Sequence, residues 1–169
     1  MKNKFNIVIV MVLVVVISAM IFFLSKQAST NTPIEQTDTK ISETITFNKL
    51  GGGTIKLSDY VNEKPVILNF WASWCPYCQK NMPILNQLYE KYKHEIEVIG
   101  VNMEETEQTA QNFIKNYSIN FPIVLDSNGK ITDEFGVLYT NTHVLIGLDG
   151  SVVKVIPGDI QESDFQSLL

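Results

Sequence analysis

Residues 66–78 constrain this chain more than any other stretch. Val66-Ile67-Leu68-Asn69-Phe70 is apolar without clean alternation, as expected of a central strand covered on both faces. Trp71-Ala72-Ser73-Trp74-Cys75-Pro76-Tyr77-Cys78 comes next. After it, Met82, Leu85, Leu88, Tyr89 and Tyr92 recur at helical spacing. The pattern predicts a helix from about Pro76 to Tyr92, with Pro76 tolerated at its start and Pro83 kinking it. Strand, short turn and Cys-x-x-Cys at a helix start is a redox arrangement with a physical cause. Unpaired N–H groups and partial positive charge at a helix N-terminus favour a thiolate over a thiol. The thiolate is the species that attacks a disulfide. Cys75 and Cys78 are the only cysteines. A bond between them closes too short a loop to act as a staple, and a zinc module needs a larger Cys/His set.

The 169 residues suit one domain plus extras. The 13 basic residues are all Lys and the net charge is −5, so no nucleic-acid surface is expected. Residues 1–6 carry Lys2 and Lys4 and read as a cytoplasmic N-terminus. From Ile7 to Leu24 the only polar residue is Ser18. At about 1.5 Å per residue this run spans about 27 Å, close to the hydrocarbon thickness of a bilayer. Ser25-Lys26-Gln27-Ala28 is a poor cleavage site, which favours an uncleaved single-pass anchor at 7–24 over a signal peptide. The flanking lysines favour a cytoplasmic N-terminus, which places the rest in an oxidising, extracytoplasmic compartment. Residues 25–43 read as a flexible linker, and 44–169 as the folded domain.

Within that domain, Thr44–Asn48 and Thr54–Leu57 alternate like strands around Gly51-Gly52-Gly53, predicting a hairpin. A short helical turn capped by Ser58 comes after it. Ile96–Val101 reads as a core strand and Glu104–Tyr117 as a helix with Ala110, Phe113, Ile114 and Tyr117 inward and Thr106 as a possible cap. Pro122–Leu125 is a strand and Lys130–Phe135 a short helix. Thr142–Leu148 and Ser151–Ile156 form a hairpin across Asp149-Gly150, and Asp159 or Ser163 starts a last helix. The sum is a mixed α/β sheet flanked by helices.

Leu57-Ser58-Asp59-Tyr60, together with Val66 through Cys78, resembles the thioredoxin superfamily and, more closely, the TlpA/ResA-like group of membrane-anchored extracytoplasmic thiol–disulfide oxidoreductases. Phe121-Pro122-Ile123-Val124-Leu125-Asp126 resembles that group's segment after an inserted helix, which small thioredoxins lack. The resemblance covers roughly Thr44 to Pro157. It implies a thioredoxin-like fold with an N-terminal hairpin and an inserted helix–strand. It implies Cys75 as the attacking nucleophile and Cys78 as the resolving thiol of a redox-active disulfide. Trp74, Pro76, Tyr77, Asn81, Thr140 and Asn141 would shape the substrate site, with Trp71 a core aromatic. Expected partners are protein thiols or disulfides and a membrane thiol reductase as electron donor; no cofactor is expected.

Three positions depart from the patterns of these families. Asn81 stands where the ResA-like group often has a carboxylate that aids proton transfer, and Asn69 where classical thioredoxins have a buried acid. Asn141 stands where a cis-proline faces the cysteines. A cis bond before a non-proline residue costs about 2.5–4 kcal/mol, so Thr140–Asn141 is expected to be trans. The alternative reading is a Sco-like copper-binding module using Cys75, Cys78 and His143. A peroxidase is disfavoured by the absence of a Pro-x-x-x-Thr-type segment, and His94 reads as a solvated surface residue.

Overall fold

The computed structural model describes residues 45–169 together with Ser18 and Met20, which are helical and exposed. The chain divides between residues 37 and 38, and the strands and both cysteines belong to the second part. Ser18 and Met20 apart, the expected anchor at 7–24 and the linker at 25–43 lie outside the described residues. Among the described residues no helix is long and apolar enough to cross a membrane.

Strand β1 (Thr46–Asn48) pairs antiparallel with β2 (Thr54–Lys56) across the glycine turn. Leu57–Tyr60 then forms a 3-10 turn. Ser58 lies inside this turn and does not cap it; Lys56 precedes the turn and makes no side-chain cap. The run 66–71 becomes β3 (Val66–Trp71), buried at every residue. It is the middle strand of a five-stranded sheet ordered β5-β4-β3-β6-β7. Strands β4 (Glu97–Met103) and β5 (Ile123–Asp126) run parallel to it. Strands β6 (Thr142–Ile146) and β7 (Val152–Pro157) form the antiparallel hairpin expected across Asp149-Gly150.

Alternation along β3 sorts the core into two layers. Ile67 and Trp71 face a layer with Cys75, Cys78, Met82, Leu85 and Phe165. Val66, Leu68 and Phe70 face the other, with Phe47, Val144 and Ile146. Gly100 on β4 is required by the first layer: a Cβ there would meet Ile123 Cδ1 at 2.5 Å and the Trp71 indole nitrogen at 3.1 Å.

Helix α1 (Pro76–Tyr92) has the predicted bounds and continues through Pro83 as one element. Helix α2 (Glu107–Asn116) starts later than Glu104, because Thr106 caps it by accepting the Thr109 N–H. Helix α3 spans Lys130–Glu134 and α4 Glu162–Gln166. Neither Asp159 nor Ser163 starts α4. Gln161 does, and its N–H donates to the Asp164 carboxylate at 2.8 Å, the reach-back of a capping box.

Candidate active site

The C-terminal end of β3 delivers Cys75 to the first turn of α1, where it is the N-cap residue. Its Sγ accepts the Cys78 N–H at 3.1 Å, and its carbonyl accepts the Gln79 N–H at 3.1 Å. Cys75 and Cys78 are joined as a disulfide with Cα atoms 5.2 Å apart. Once reduced, Cys75 sulfur would sit on the positive end of the helix, aimed at by a backbone donor. These are the conditions that favour a thiolate. Cys78 is the more buried of the two by a small margin only, at 1% exposed against 3% for Cys75.

Around the pair the surface is aromatic. Trp74 and Tyr77 stand out at 68% and 69% exposure, with Pro76 exposed between them, while Trp71 is fully buried against Phe113. Leu138 and Tyr139 are also exposed, on the loop that leads through half-buried Thr140 to Asn141.

Asn141 is buried, and all peptide bonds among the described residues are trans, that of Thr140–Asn141 included. Its φ of 57° is left-handed, a conformation that asparagine tolerates and proline cannot adopt. The loop is closed on both sides of this residue. The Asn141 N–H donates to the Phe70 carbonyl at 2.8 Å, and its own carbonyl accepts the Gly158 N–H at 2.8 Å. Asn81, one turn beyond Cys78, donates its side-chain amide to the Asp159 carboxylate and, at 3.5 Å, to Asn141 Oδ1.

The copper alternative lacks its ligand set. Register places His143 opposite Asn69 in the sheet interior, and among the described residues no three His, Cys, Asp or Glu side chains converge as a metal-holding group. Burial pushes the His143 imidazole down to about 4. His94 is exposed, as a solvated residue should be.

Glu105 is a site residue that sequence reasoning missed. Its carboxylate accepts the Ser73 N–H at 2.8 Å, the Ser73 hydroxyl, and the Asn102 amide at 2.7 Å. It thereby pins the loop that precedes Cys75. Glu104-Glu105 reads in sequence as the start of a helix, and nothing local marks Glu105 as reaching 32 residues back.

Comparison with known proteins agrees with this geometry. Residues 39–155 match the AhpC/TSA family. The chain is 39% identical over 121 residues to the thiol–disulfide oxidoreductase ResA of Bacillus thuringiensis subsp. konkukian, covering 71% of this chain and 69% of that protein. It is 38% identical over 122 residues to ResA of Bacillus subtilis, covering 70% and 68%. The crystal structure of StoA from Bacillus subtilis superposes with a TM-score of 0.64 at 26% identity, over 73% of this chain and 94% of StoA. The chain belongs to the AhpC/TSA family and is a thiol–disulfide oxidoreductase of the ResA-like group.

Proposed function

We propose that this chain reduces protein disulfides on the outer side of the cell membrane, held there by residues 7–24. Cys75 attacks the substrate disulfide and forms a mixed disulfide; one substrate sulfur leaves as a thiolate. Cys78 then attacks Cys75 Sγ, releases the second substrate sulfur, and leaves the protein oxidised. A membrane thiol reductase returns two electrons to restore the dithiol. Substrates of the kind implied by the ResA resemblance are disulfides of apocytochrome c, whose thiols the reaction restores, or proteins of envelope or spore assembly.

The observation that carries this reading is the placement of Cys75 as N-cap of α1, with its Sγ on the Cys78 N–H and the exposed Trp74 and Tyr77 beside it. That assignment of roles is tested by two single variants. Cys78→Ser should accumulate mixed disulfides with partner proteins, and Cys75→Ser should abolish exchange. Normal exchange by Cys75→Ser would reverse the roles. Direction is tested by the reduction potential. A value near about −270 mV fits a reductant, whereas one near about −120 mV would make the chain an oxidant. Placement is tested by fractionation: a shortened, soluble product outside the membrane would remove the anchor.

A further inference from the structure

Helix α1 has no acidic residue in its first turn, and Asn81, one turn beyond Cys78, does not ionise. A carboxylate nevertheless reaches this place from another element. Asp159 lies on the loop between β7 and α4, 78 residues from Asn81. Its Oδ1 accepts the side-chain amide of Asn81 and, at 3.4 Å, that of Asn141. The two amides are themselves joined at 3.5 Å. Residues three apart on a helix are surface neighbours, with Cβ atoms about 5–6 Å apart. A carboxylate bound to Asn81 therefore stands about one side chain from Cys78.

We infer that Asp159 supplies the fixed negative charge of the redox site, held by Asn81 and Asn141, and that it restrains ionisation of the reduced Cys75–Cys78 pair. The inference rests on Cys75 being the exchanging thiol and adds the group that tunes it. A like charge beside a forming thiolate raises the thiol's pKa and opposes the pull of the helix N-terminus. Asp159 thus acts as a positioning residue, through the field it sets, and no bond to it forms or breaks.

Among the described residues, charged groups on the neighbouring elements are buried neutral, paired or exposed. His143 on β6 is buried and neutral near pH 7. Asp164 of α4 is paired with Lys154 of β7 at 2.8 Å. Glu105 lies on the Ser73 side and is taken up by Ser73 and Asn102. Lys80 and Tyr77 of α1 are solvent-exposed. Asp159 is also exposed on its outer side, so solvent screening limits its effect to about half a pH unit and makes it salt-dependent.

The test is the pH dependence of Cys75 alkylation by iodoacetamide in the reduced full chain. Asp159→Asn keeps the shape and the acceptor oxygen and removes the charge. Its alkylation midpoint should fall by about half a pH unit at low salt, and the gap to wild type should narrow at high salt. Asp159→Glu should retain the wild-type midpoint. The double variant Asn81→Asp with Asp159→Asn moves the carboxylate across the same hydrogen bond and should restore the midpoint. A merely structural clamp would leave the midpoint of Asp159→Asn unmoved, and that result overturns the inference alone. An unreactive Cys75 in reduced wild type would overturn both this inference and the exchange reading beneath it.

Discussion

Asn141 joins three parts of the molecule through its backbone and its amide. Its N–H closes onto β3, its carbonyl onto Gly158, and its side chain onto Asn81 and Asp159. All of these form at a left-handed φ of 57°. Replacement by proline removes the N–H that Phe70 accepts and demands a φ near −65°. Asn141→Pro should therefore destabilise the domain by about 3 kcal/mol or more. Asn141→Gly, which keeps the backbone, should cost about 1 kcal/mol, from lost side-chain contacts and chain entropy. Urea midpoints of the two variants decide it: a proline variant as stable as the glycine variant would show that the loop adapts.

Helix α1 and the loop before it differ in how far the sequence reveals them. The spacing of Met82, Leu85 and Tyr92 and the cysteine pair at its head predict the helix bounds that the structure shows. Where a single residue decides an end, local patterns are a weaker guide. Ser58 and Ser163 have the chemistry of caps, yet Lys56 and Gln161 occupy the cap positions. Glu105 and Asp159 are out of reach for another reason: their partners lie far away along the chain. The loop from Ala72 to Cys75 depends on Glu105 for its order. Glu105→Ala leaves the Ser73 N–H and the Asn102 amide without their acceptor, which should cost about 1–3 kcal/mol. Thiol exchange should slow in the same variant, because the cysteine loop is no longer pinned. Chemical denaturation together with insulin disulfide reduction measures both; a stable variant with a normal rate would make Glu105 incidental.

At the scale of the molecule, the five-stranded sheet and its two apolar layers arise from patterns that sequence displays openly: an unbroken apolar β3, alternating strands, and a helical repeat. What those patterns hide is the polar content of the sheet interior. His143 is buried opposite Asn69, whose amide nitrogen finds no hydrogen-bond partner among the described residues. Burial is the main cause of the lowered His143 pKa, with the Gly158 backbone, Asp164 and Asp159 pulling the other way. The folded protein refuses a proton that the unfolded chain accepts below about pH 6.5. His143 thus contributes no penalty above that pH, and global stability falls as pH drops from about 6.5 to about 4, by about 3 kcal/mol in all. His143→Leu should flatten that part of the wild-type stability profile, read from urea midpoints at pH 7 and pH 4.5. An unchanged slope would place the acid sensitivity in other groups.

The sign of one backbone angle also divides the routes by which this protein can diverge. At residue 141, a change to Gly keeps the left-handed backbone and gives up only the side-chain bonds to Asn81 and Asp159. Arrival at proline is a different kind of step: the N–H that donates to the Phe70 carbonyl is lost, and a φ near −65° must replace the left-handed one. A chain with proline there would be separated from this one by a loop geometry as well as by a residue. A lineage crossing between the two must pass through, or compensate for, a form in which the loop beside the cysteines is untied.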